Sequence, residues 1–249
     1  MPNIAIRELQ GQNLHSPYAN HNVTTTGIVT GVVRRGFFLQ TPNKPWDGKG
    51  SDGIFVYSRK WKPSKGSLLV VSGECVDYIK HETAKPVTQL LFQSAEVKST
   101  DADGVDAISL TQEFLPSNSG DLALLLNSLE GMLLAIEPGQ TFVAPSNKFG
   151  DYVVALDSPS SDLTAPRTMQ GGFIGDHQNH MRWLPGFRAT NYNHAPRLNV
   201  GAKLTSRIEG PLNYRVDSYQ LSVNQPFEVE PSFIEVRKSS LEPSSGALT

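Results

Sequence analysis

The chain has 249 residues, a net charge of −2 and 38% hydrophobic residues, and its length suits one large or two small domains. No run approaches the roughly 18 apolar residues needed to span a bilayer, and one cysteine, Cys75, excludes an intrachain disulfide. Cys75 lies in an apolar strand-like run and reads as a small buried core residue.

The charge is uneven. Residues 1–98 hold 12 basic and 7 acidic side chains, whereas residues 99–249 hold 10 and 17, so a basic amino-terminal half hides behind a near-neutral total. The opening MPNIAIRELQ lacks the basic and apolar regions of a secretory leader.

In chain order, the first 98 residues predict five strands. VTTTGIVTGVV (23–33) is β-branched and carries Gly27 and Gly31, which mark a bulge or sharp bend. GFFLQ (36–40) follows, then a turn-rich loop, TPNKPWDGKGSDG (41–53). GIFVYS (53–58), SLLVVSGECVDYI (67–79) with Gly73, and TQLLFQSAEV (88–97) complete the set. Five short strands with glycine kinks fit a small closed barrel of the oligonucleotide/oligosaccharide-binding (OB) type.

Residues 99–118 read as a polar, acidic linker. SGDLALLLNSLEGM (119–132) has near-helical apolar spacing, with Ser119 or Asp121 as its cap. Strand-like runs resume at 132–138, 140–145 and 151–157. A Pro-, Gly-, Asn- and His-rich insertion occupies 158–199, further strands follow at 202–216, 219–223 and 227–232, and 239–249 reads as a flexible tail. A repeat is visible: Gly66…Gly73…Tyr78 is echoed by Gly201…Gly210…Tyr214. The expected fold class is therefore all-β, with two tandem OB-like β-barrels at 1–98 and 119–238 and a short helix and long insertion in the second.

The window 30–65 carries the chemistry. It holds eight Lys or Arg against two Asp, with six aromatic rings interleaved. Cations with stacking platforms on a strand-rich surface suit a single-stranded polyanion, read without sequence preference. Alternation puts Phe37 and Leu39 on one face of their strand and Phe38 and Gln40 on the other; it sets Phe55 and Tyr57 opposite Ile54 and Val56. Phe38, Phe55 and Tyr57 would form an exposed strip on the face that OB folds use for oligonucleotides. Trp46 and Lys49 in the loop between the second and third strands, Arg34 and Arg35 at the first turn, and Arg59, Lys60, Trp61 and Lys62 after the third strand complete the candidate nucleic-acid site. The plainer readings are rings packed against the second domain and a solvated basic edge that discourages strand pairing.

Other signals are weaker. Asp176, His177 and His180 in GDHQNHMRW form a candidate metal cluster, but structural zinc usually takes four protein ligands, often Cys, and no Cys is near. Asp101, Asp103 and Asp106 lack the remainder of a calcium-loop pattern. No nucleophile elbow, phosphate loop or HExxH motif occurs, so no catalytic residue is assigned.

IRELQGQNLHSPYANHNVTTTGIVTGV, GFFLQTP, SDGIFVY and LLVVSGECVDY resemble the amino-terminal OB-like region of bacterial extracellular nucleases of the endonuclease/exonuclease/phosphatase family. LEGMLLAI, FGDYVVAL, the GGF near 171 and NVGAKLTSRIEGPLNY resemble the continuation of that region. The resemblance implies a non-catalytic accessory region of a secreted nuclease, extracellular or periplasmic, ahead of a catalytic domain that lies beyond SSGALT. It implies DNA or RNA as partner, together with the catalytic domain of the same parent chain. Divalent Mg or Mn belongs to that domain, and no cofactor to this region. The rival expectations are a structural spacer or docking module for the catalytic domain, or a carbohydrate or cell-surface binding module.

Overall fold

The computed structural model describes residues 1–116, 118–156, 185–190, 195–215 and 217–232. The chain is mostly β. Its amino-terminal strands are β1 (His21–Val33), β2 (Gly36–Gln40), β3 (Gly53–Tyr57), β4 (Leu68–Tyr78) and β5 (Val87–Ser99). They close into a barrel in the order β1-β2-β3-β5-β4, antiparallel except where β3 runs parallel to β5. The kinks fall at or beside two of the marked glycines: register shifts occur between Val29 and Gly31 and between Ser72 and Gly73. Gly73 has a further reason to be glycine, because a Cβ there would sit 2.5 Å from the carbonyl oxygen of Leu91.

The barrel core contains Val23, Phe37, Leu39, Ile54, Val56, Leu69, Val71, Cys75 and Leu90. Alternation supplies it: the burial of β4 switches residue by residue. A short helix that periodicity does not announce, α1 (Ile6–Gln10), inserts Ile6 and Leu9 into this core. Five residues are too few for a helix to persist alone, so its stability comes from that burial.

The second half contains β6 (Ile108–Ser109), α2 (Ser119–Ser128), β7 (Leu133–Ile136), β8 (Thr141–Phe142), β9 (Asp151–Ala155), β10 (Gly186–Ala189), β11 (Lys203–Leu204), β12 (Ile208–Arg215), β13 (Ser218–Val223) and β14 (Val229–Glu230). Among the described residues these strands join in one nine-stranded sheet, β14-β11-β8-β9-β10-β13-β12-β7-β6. The cap of α2 is Asn118 rather than Ser119 or Asp121: its Oδ1 accepts from the Asp121 amide at 2.8 Å. The stretch read as a linker is not a bare spacer, for it carries β6 and buries Leu110 and Leu115 in the second core.

The two halves interlock. Gln40 Oε1 accepts from the Leu133 amide at 2.7 Å, and Asn224 Nδ2 donates to the Val32 carbonyl at 2.8 Å. Ser51 Oγ donates to the Glu130 carbonyl at 2.5 Å. Gly53 lies against the backbone of Gly131, and Gly31 against the ring of Pro211.

Candidate functional site

β2 determines what the candidate site can be. Phe37 and Leu39 point into the barrel, as alternation requires, but every residue of β2 is buried. The opposite face, with Phe38 and Gln40, is closed off around the contacts with the second half; Phe38 is 1% exposed and its ring lies 5.0 Å from that of Phe55. The expected exposed strip of Phe38, Phe55 and Tyr57 is therefore corrected. Phe38 is sealed in, Phe55 is half-buried against it, and Tyr57 is half-buried at the end of its strand.

The two tryptophans of the candidate site also pack inward. Trp61 stacks on Phe92 at 5.0 Å and meets Phe37 edge-on at 5.6 Å, against the first core. Trp46 leans on Phe114 at 5.6 Å and packs against the second core. The loop bearing Trp46 is held by carboxylates that absorb nearby cations. Asp52, 1% exposed, accepts from Arg7 and, at 2.8 Å, from Lys44. Arg7 also bonds Asp47, and that bond holds the Asp47 carboxyl below its ordinary range. Lys49 lies apart from the other candidate cations, lining a cleft between the halves.

What remains is a basic rim. Arg34, Arg35, Arg59, Lys60 and Lys62 are exposed. They stand on two adjacent turns: β2 pairs Gly36 with Tyr57, and the Ser58 amide donates to the Arg35 carbonyl at 2.9 Å. Arg59 Nε donates to the Tyr57 hydroxyl at 2.6 Å, with its guanidinium 5.7 Å from that ring's centre. Lys62 folds back onto the Ser58 carbonyl, and partial burial lowers its pKa. Among the described residues none of the five is paired with a carboxylate. Such a rim can neutralise phosphates.

One cation was missed. Arg215, exposed at the end of β12, lies close enough to Arg35 and Arg188 for their charges to add to burial in lowering its pKa, while Asp151 opposes them. Arg188 is itself paired with Asp151 at 3.3 Å. Arg215 comes from the acidic half of the sequence, and only its charge type marks it there.

Among the described residues, no group of three or more His, Cys, Asp or Glu side chains is arranged to hold a metal ion. Asp176, His177 and His180 lie outside the described residues. No helix among the described residues is long and apolar enough to cross a membrane.

The class defined by these observations is a strand-rich chain in two interlocked units, with a basic rim on the first. The chain belongs to a family described as a domain of unknown function, DUF8508, whose family model matches residues 91–232, from within β5 to just past β14. Comparison with curated proteins and with solved structures finds no match.

Proposed function

We propose that the chain is a pair of tandem OB-like barrels acting as a non-catalytic nucleic-acid-binding region, which holds DNA or RNA for a phosphodiesterase domain of the same parent chain. The first barrel has five strands in the order 1-2-3-5-4, with strand 3 parallel to strand 5. The second half supports the same plan once β7 and β8 are taken as one kinked strand and β11 and β12 as another. β7 pairs with β12 and β8 with β11, so the two kinked strands are partners, like β1 and β4. β8 pairs with β9, β9 with β10, β10 runs parallel to β13, and β13 pairs with β12. The glycine repeat fits: Gly66 and Gly201 both have positive φ, +85° and +86°, and a Cβ at Gly73 or Gly210 would strike a carbonyl oxygen of the neighbouring strand at 2.5 Å.

The observation that carries the functional reading is the rim of five cations on adjacent turns that have no carboxylate partner among the described residues. Resemblance to the extracellular nucleases adds the setting: a secreted parent, with divalent-metal chemistry in its catalytic domain. Weak binding suffices there, since tethering raises the local concentration of substrate. Fluorescence anisotropy of a labelled single-stranded oligonucleotide at rising salt is the test. Binding at low salt should weaken with a log–log slope near −0.7 per phosphate contacted, hence roughly −3 for four or five contacts. No binding at low salt would overturn the reading.

A second reading, a spacer or docking module, draws on the burial of Phe38 and Gln40 beside the second unit. It predicts a large interface with the catalytic domain and no response to oligonucleotide.

A further inference from the structure

A cleft of about 350 Å³ opens where the first unit meets α2. Its volume lies in the range of small-molecule sites, and boundaries between units are where such sites concentrate. One of its boundaries is a part-buried ion pair. Lys85 Nζ donates to Glu130 Oε2, and the Tyr219 hydroxyl donates to the same oxygen at 3.1 Å. Glu130 is 6% exposed, and Oε1 takes part in neither bond. Gln12 and Asn13, from the loop after α1, line one side; Asp121 and Asn127, from α2, line another. The side chains of Gln12, Asn13 and Asn127 have no hydrogen-bond partner among the described residues. Leu14 and Leu124 add two exposed apolar groups.

The chemistry of the lining selects the ligand. Lys49 and Lys85 cancel Asp121 and Glu130, so a net charge on the guest gains nothing. Among the described residues no aromatic ring lines the cleft, so a nucleobase has no stacking platform there. An apolar guest would desolvate carboxylates and amides without replacing their hydrogen bonds, which costs free energy. A hydroxyl both donates and accepts, matching carboxylate oxygens and amide NH2 groups together, while the C–H face of a sugar ring can cover a leucine. We propose that this cleft is a binding site for a small neutral saccharide, separate from the basic rim.

The test is a heteronuclear NMR titration of the isotope-labelled full chain with glucose, N-acetylglucosamine and ribose. At least one sugar should shift the side-chain amide signals of Gln12, Asn13 and Asn127 saturably, in the millimolar range. The double variant Gln12→Ala/Asn127→Ala removes two hydrogen-bonding groups from exposed and half-exposed positions and should weaken that binding about thirtyfold, the two bonds together contributing about 2 kcal/mol. An unchanged melting temperature shows that the variant is folded. The proposal is overturned if none of the three sugars shifts these signals, if the shifts map elsewhere, or if the folded double variant binds as tightly as the parent.

Discussion

At Gly53 a methyl group has nowhere to go. A Cβ there would lie 2.2 Å from the backbone of Gly131, where the first barrel meets the second unit. Neither backbone can retreat without breaking β3 or the bond from Ser51 to Glu130. Gly53→Ala should therefore cost about 3 kcal/mol, the upper end of ordinary overpacking, read as a lowered urea midpoint. Gly120, in the first turn of α2, has nothing nearer than 3.6 Å, so Gly120→Ala should leave stability unchanged or raise it by up to about 1 kcal/mol.

Tyr152 makes a pH-dependent case at the same scale. Burial pushes its phenol up from 10.0 to about 12, and its hydroxyl donates to the Pro196 carbonyl at 2.7 Å. Burial, then the neighbouring Glu130 charge, raises Tyr219 as well. A group whose pKa is raised by folding contributes stability that is complete below the unfolded value and is lost as pH climbs through the folded one. Unfolding free energy should thus be insensitive to these tyrosines up to about pH 10 and fall above it. Tyr152→Phe should cost about 1 kcal/mol at neutral pH and make the alkaline decline shallower. A decline of the same steepness in the variant would remove Tyr152 as a cause.

The loop after β3 shows how one element divides its labour. Trp61 faces inward to Phe37 and Phe92, while Arg59 and Lys60 face solvent. Trp61→Ala should destabilise the chain by about 3 kcal/mol, as large-to-small changes at packed sites do. Under conditions where that variant remains folded, its oligonucleotide affinity should be close to the parent's. Arg35→Ala/Lys60→Ala should do the opposite: a small change in melting temperature, with the salt slope of oligonucleotide binding shallower by roughly 1–2. A slope unchanged in the second variant would take the rim out of the binding surface. Strand positions were legible at this scale because β-branched runs and alternation are local properties. α1 and β6 were not, being too short to show a period and stabilised by distant partners.

Across the molecule, polar bonds join the two halves. The Lys85–Glu130 pair, Gln40 to Leu133 and Asn224 to Val32 are among them. Trp61 packs on the first core and Trp46 on the second, so variants retaining only one of the chain's three tryptophans report each core separately. In each such variant the fluorescence transition in urea should coincide with that variant's own far-UV circular dichroism transition, because the bonds of Gln40 to Leu133 and of Asn224 to Val32 tie the two units together. Two separated midpoints would show that the units are stable independently.

The sequence by itself determined that the chain is mostly β, where β1–β5 run, that Phe37 and Leu39 share a core face, and that the basic charge lies in the first half. Those follow from nearest-neighbour sterics, a two-residue period and composition. Only the tertiary structure decided that the face of Phe38 is closed, that Trp46 and Trp61 pack against the two cores, and that Arg215 joins Arg35 from the acidic half. Alternation states which side of a strand a residue takes. What covers that side depends on residues far along the chain, such as Leu133 for Gln40, and no local pattern encodes that pairing.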